Sequence, residues 1–185
     1  MGPVRPRFLE GQRIAVWAAP RELNGASGAS SSESMSAHLL CVSHYAVSAF
    51  AERLDRHSKE PGWVAVLAYD QDDPIGYAYA NTIDSEDRWW KRVSPAPSAE
   101  YTDRHAVALK EIGVRIPWRG TGTARRIHDA LLAECDEPYV TLMVNPAAGD
   151  GKVHRLYQAW GYDGIGQSQP SAASPVLTVM IRTVR

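Results

Sequence analysis

The chain has 185 residues, 44% hydrophobic and 22% charged, which is enough for one domain with a real core and is ordinary globular composition. Twenty Lys and Arg stand against 21 Asp and Glu, and a net charge of −1 excludes nucleic-acid binding through a global basic field. Two cysteines, Cys41 and Cys135, form neither a metal-ligand spacing nor a disulfide framework and point to a reducing cytoplasm.

No apolar run reaches the roughly 18 residues of a membrane span, and no apolar core of a signal peptide follows Arg5 and Arg7. We therefore expect a cytoplasmic protein of a single domain, 1–185. Residues 1–36 are expected to be loosely ordered, with Pro and Gly up to residue 12 and a Gly/Ala/Ser tract at 24–36. Between them, Arg13–Ala19 reads as a short strand or a helix start, and periodicity does not decide. A helical pattern runs from about Ala37 to His57, with Leu40, Val47, Phe50 and Leu54 on one face, and Pro61-Gly62 stops it. His38, His44 and His57 fall in this stretch and read as packing or surface residues.

Trp63–Tyr69 and Ile75–Ala80 are strands of a β-hairpin across the turn cluster Asp70–Pro74. Ser85–Asp103 is a polar insertion carrying Trp89 and Trp90. The pair either anchors the insertion on the core or walls a substrate pocket. Ala106–Ile116 is the next strand. A loop at 118–122 leads into a helix ending near Glu134, with Ala124, Ile127, Ala130 and Leu131 on one face. Tyr139–Val144 follows as a strand, so strand, crossover helix and strand imply a right-handed parallel pair. A short helix places Val153, Leu156, Tyr157 and Trp160 on one face and ends at Gly161. Tyr162–Gln167 and Val176–Val184 are the last strands, and no internal repeat is present.

The stretch around residue 120 organises the rest. Two glycines stand where a strand ends and a helix begins, where unpaired backbone N–H groups and the helix dipole suit a phosphate. Arg119, Arg125 and Arg126 cluster there, although a cation near a helix N-terminus costs about 0.3–1 kcal/mol. A bound polyanion reverses that sign; a plain glycine turn with solvated arginines is the alternative. Gly122 is followed by Thr123-Ala124 and not Lys-Ser/Thr, and position 125 is Arg, so neither the nucleoside-triphosphate loop nor the dinucleotide fingerprint is present.

What remains, Val114-x-x-Pro117-x-Arg119-Gly-x-Gly-x-Ala124, resembles the acetyl-CoA pyrophosphate loop of the GNAT superfamily of N-acetyltransferases. A second motif, Asn145-Pro146 followed by Leu156-Tyr157-x-x-x-Gly161-Tyr162, resembles the other signature of that family in the right order. The resemblance covers roughly Trp63 to the C-terminus, with residues 63–185 the best-matching core. The loop after Asn145 is about two residues longer than the commonest form, and Asp150 stands where an asparagine often sits, so Asp150 is given no role.

The resemblance implies an α/β fold: a mixed central sheet, parallel strands splayed at the acetyl-CoA site, and helices on both faces. It implies that the backbone of Val114 and Ile116 pairs with the pantetheine arm in strand fashion. Backbone N–H groups of Arg119, Gly120, Thr121, Gly122, Thr123 and Ala124 would hold the pyrophosphate, with Arg119 adding charge and Asn145 beside the arm. Tyr157 would stand near the cofactor sulfur as the acid. Glu111, a carboxylate in an otherwise apolar strand, is the base candidate, ahead of His105. Trp89 and Trp90 are candidates for the acceptor pocket. The implied reaction moves acetyl from acetyl-CoA to a small-molecule amine, with no metal, no nucleic acid and no membrane, and with homodimerisation left open. The alternatives are a non-catalytic acyl-CoA-binding module and a protein N-terminal or lysine acetyltransferase.

Overall fold

The computed structural model describes residues 7–9, 12–18, 47–172 and 174–184. The N-terminal part, expected as loosely held, supplies two strands: β1 (Arg7–Leu9) and β2 (Gln12–Ala18), paired antiparallel from Arg7↔Ile14 to Leu9↔Gln12. Pairing of this kind satisfies backbone N–H and C=O groups and requires no side-chain pattern, so composition did not reveal it. Of the stretch Arg13–Ala19, ambiguous by periodicity, the described residues 13–18 are strand. The tract 24–36 and His38, Cys41 and His44 lie outside the described residues, as does the first half of the helix expected from Ala37. Its described part is α1 (Val47–His57).

Eight strands follow the order β1-β2-β3-β4-β5-β6-β8-β7 in a mixed sheet, with β3 at Val64–Asp70 and β4 at Asp73–Ile83. The remaining strands are β5 (Ala106–Val114), β6 (Tyr139–Val144), β7 (Asp163–Ser168) and β8 (Leu177–Thr183). The chain clusters into two compact units. The first runs to Asn81 and resumes at Glu111–Cys135; the second comprises Thr82–Lys110 and the residues from Asp136 on.

In the first unit β2, β3 and the start of β4 form an antiparallel meander, and Asp70↔Asp73 closes a tight hairpin with Gln71 at φ 52°. The expected hairpin is therefore present, with β4 longer at both ends. Alternation along β3 and β4 splits their side chains between two faces. Phe50 and Leu54 of α1 pack with Ala65, Leu67, Tyr77 and Tyr79 on one face. On the other face lies α4 (Thr123–Leu132), where a Cβ on Gly76 would come within 2.7 Å of Ile127 Cδ1. Ile127 and Leu131 are fully buried, each contributing about 1.5–3 kcal/mol of apolar transfer.

In the second unit β5 and β6 are parallel, as the intervening helix required. Their ladder has three pairs, Ala106↔Tyr139 to Ala108↔Thr141, although β5 continues to Val114 and β6 to Val144. β8 lies antiparallel between β6 and β7. The insertion contains two one-turn helices, α2 (Arg88–Lys91) and α3 (Ala99–Thr102). The Asp87 carboxylate accepts the Trp89 N–H at 2.7 Å, and Ser98 Oγ accepts that of Glu100 at 3.3 Å. The last helix is α5 (Lys152–Ala159). Among the described residues no helix is long and apolar enough to cross a membrane.

Two expectations are corrected. The strand expected to reach Ile116 ends at Val114, and Ile116 opens a 3-10 turn, Ile116–Trp118, with its side chain 72% exposed. Arg115 N–H still donates to the Ile75 carbonyl at 2.8 Å, but Pro117 has no N–H to carry a ladder further. Leu156, placed on the apolar face of α5 by spacing, is 42% exposed; Tyr157 is the buried residue of that helix.

Candidate functional site

The loop before α4 is built by its glycines. Gly120 and Gly122 have φ of 76° and 81°, in the left-handed region that a Cβ disfavours. Gly122 is the N-cap of α4, and no side chain caps the helix. The first helical bond runs from Arg126 N–H to the Gly122 carbonyl at 3.1 Å, so the amides of Thr123 and Ala124 precede the ladder. Side chains stiffen the turn. Arg126 Nη2 donates to Thr123 Oγ1 at 2.9 Å, Thr123 and Thr121 hydroxyls meet at 2.8 Å, and Thr121 Oγ1 donates to the Trp118 carbonyl at 2.7 Å. Because the one hydroxyl proton of Thr121 goes to the Trp118 carbonyl and a guanidinium only donates, the protons run one way: Arg126 to Thr123 to Thr121 to Trp118.

The other two arginines also have internal partners. Arg125 Nε bonds Asp129 Oδ2 at 2.8 Å, and Arg119 Nε bonds the Val114 carbonyl at 3.1 Å. The second bond uses the carbonyl that the resemblance assigns to the pantetheine arm. Val114 is buried at the strand end.

Glu111 on β5 is held from two elements of its unit. Arg53 Nε of α1 lies 3.2 Å from Oε1, and the Tyr77 hydroxyl of β4 donates to Oε2 at 3.1 Å. Tyr79, two residues along β4, is fully buried. Burial, then the Glu111 charge, pushes its phenol far above the ordinary value. Its hydroxyl also meets His57 Nδ1 at 3.3 Å, and Asn81 Nδ2 donates to the His57 carbonyl at 2.8 Å. Sequence reasoning missed Arg53, Tyr77 and Tyr79. The signal was two polar-tipped aromatics alternating on a buried strand opposite an isolated carboxylate.

In the second unit, Asn145 Oδ1 accepts the Ala147 N–H at 3.0 Å, an Asx turn at the end of β6. Tyr157 is buried against Trp160 and Tyr162, both edge-on at 5.5 Å. Burial pushes its phenol up to about 12. Trp90 packs in a core cluster with Ile83, Val93, Ala108 and Tyr139. Trp89 is half-buried beside that cluster, with Lys110 Nζ 5.0 Å from its ring centroid and its indole N–H donating to Thr141 Oγ1 at 3.4 Å. Among the described residues no group of three or more His, Cys, Asp or Glu converges on a metal position.

A model of the acetyltransferase (GNAT) family matches residues 32–162. No curated protein matches the sequence. Among solved structures the chain is similar to the NatC complex bound to Gag peptide and CoA, with 12% identity, 93% of this chain and 99% of that one covered, and a TM-score of 0.57. It is similar to the ribosomal-protein-S18-alanine N-acetyltransferase from Escherichia coli, with 10% identity, 92% and 94% covered, and a TM-score of 0.57. It is also similar to the aminoglycoside N(6')acetyltransferase from Legionella pneumophila, with 21% identity, 74% and 73% covered, and a TM-score of 0.53. At these identities the likeness shows the fold alone. The family model spans more than half of the sequence and takes in both the loop before α4 and the tyrosine of α5, so the chain belongs to the GNAT family of acetyltransferases.

Proposed function

We propose that this protein transfers the acetyl group of acetyl-CoA to the amine of a small-molecule acceptor in the cytoplasm. The observation that carries it is the uncapped start of α4 on Gly122, in a chain of this family. The amides of Thr123 and Ala124, in the first turn of a ten-residue helix, fit the pyrophosphate, and Arg119 adds charge beside them. Bound acetyl-CoA supplies the activated thioester.

Tyr157 is the group that assists the leaving thiolate. A phenol near 12 stays protonated at neutral pH and keeps its hydrogen for a partner. Tyr157 donates a proton or a hydrogen bond to the developing thiolate. Glu111 accepts the proton of the attacking amine, directly or through water. Trp89, half-buried, walls the acceptor, and Trp89→Ala raises the amine KM far more than it changes acetyl-CoA affinity.

A second reading takes a protein N-terminus or lysine as acceptor; it is supported by the NatC and ribosomal-protein enzymes among the similar structures. Free-thiol release from acetyl-CoA, measured with a panel of small amines and N-terminal peptides, separates the two. Release with small amines supports the first reading, and release confined to peptides the second. Acetyl-CoA binding without release with any amine leaves a non-catalytic acyl-CoA-binding module.

A further inference from the structure

We infer that Tyr77 and Arg53 are positioning residues that clamp the Glu111 carboxylate, one on each oxygen; the inference rests on reading Glu111 as the base. The clamp joins three segments far apart in sequence: Arg53 of α1 holds Oε1 at 3.2 Å, and Tyr77 of β4 holds Oε2 at 3.1 Å. A carboxylate gripped on both oxygens cannot turn about its last torsion, yet each oxygen keeps a lone pair. The Glu111 side chain is 17% exposed, so water reaches it.

The ring that carries the Tyr77 hydroxyl is itself fixed. Phe50 of α1 meets it edge-on at 5.8 Å. Gly113, two residues beyond Glu111 on the same face of β5, also borders the ring. A Cβ there would lie 2.6 Å from Tyr77 Cε1. The missing side chain at 113 thus leaves room for the ring. Titratable groups near the carboxylate are Arg53 from α1 and Tyr77 and Tyr79 from β4, with His57 of α1 reaching Tyr79.

Tyr77→Phe keeps the ring and its contact with Phe50 but removes one bond. It should lower kcat about tenfold, with the amine KM and acetyl-CoA affinity unchanged, because the carboxylate is still present but no longer aimed. Gly113→Ala keeps every polar group but displaces the ring, and it should lower kcat in the same way. Glu111→Gln should lower kcat further than either. If Glu111→Gln lowers kcat while the other two variants, folded by melting temperature, keep the parent's kcat, the clamp is overturned and the base reading stands. If Glu111→Gln keeps the parent's kcat, the base reading falls and the clamp falls with it.

Discussion

Helices α4 and α5 both begin on a left-handed glycine, Gly122 at φ 81° and Gly151 at φ 78°, and in both an arginine four residues on reaches back over the turn. Arg126 Nη1 donates to the Thr121 carbonyl at 3.3 Å, and Arg155 Nη2 to the Asp150 carbonyl at 3.2 Å. Past the first turn the likeness ends. Thr123, Ile127, His128, Leu131 and Leu132 of α4 are buried, whereas Tyr157 is the buried residue of α5. Arg126 also braces Thr123, at the start of a proton-ordered chain through two hydroxyls. A glycine with an arginine one turn later thus marks a helix start, not in itself an anion site. What α4 adds is a platform anchored at many points, so binding and stability are separable there. In α5 the anchor and the candidate acid are the same residue.

The sharpest way to break that contrast is to remove the anchor. Tyr157→Ala should cost about 3–5 kcal/mol in chemical denaturation, while its neighbour change Leu156→Ala should stay within about 0.5 kcal/mol. Equal losses would mean that α5 is held along its length. Tyr157→Phe separates packing from chemistry at that anchor. We expect kcat to fall at least about tenfold with acetyl-CoA affinity intact and stability changed by no more than about 1 kcal/mol. A kcat within about twofold of the parent, with chemistry rate-limiting, would falsify the donor role.

The two glycines test the platform. Gly122→Val and Gly151→Val each force a branched residue into the left-handed region, at about 1–2 kcal/mol. Only Gly122→Val should weaken acetyl-CoA binding, by about tenfold or more in calorimetry, because only that backbone needs the close approach of an anion. Unchanged affinity in a folded Gly122→Val protein removes the loop assignment.

The smallest effect concerns Asp129 on α4. Burial acts to raise its carboxyl, but hydrogen bonds from Arg125 and His128, with their charges, outweigh it and hold the carboxyl below its ordinary 3.8. A folded value below the unfolded one stabilises above about pH 4 and is lost as pH falls through the folded value. The side chain is about half exposed, so Asp129→Asn should cost under about 1 kcal/mol at pH 7 and progressively less in acid.

The segment from β5 through α4 to β6 was legible because its signals are local: an apolar run, two glycines, and a three- and four-residue repeat over Ile127 and Leu131. The end of β5 was misjudged by two residues, since apolar Ile116 continues the run while Pro117 withholds the donor a strand needs. Leu156 has the spacing of a core residue, but spacing names a face without saying how deeply the helix is laid down. The partners of Glu111 were out of reach for a different reason. Arg53 lies 58 residues from it and Tyr77 lies 34, and no local pattern encodes a meeting between α1, β4 and β5. The caps Asp87 and Ser98 were readable in principle, but each starts a helix of one turn, too short for periodicity to register.

The position of β8 bears on how the protein is made. In sequence β8 comes after β7, yet in the sheet it lies between β7 and β6. During synthesis β6 and β7 therefore leave the ribosome before the strand that joins them. Until residues 177–183 emerge, each shows an open hydrogen-bonding edge. That half of the sheet has to close late, by insertion, while the β2–β3–β4 meander can zip up as it appears. A chain cut off just before Leu177 keeps both edges uncovered and should aggregate more readily than the full chain.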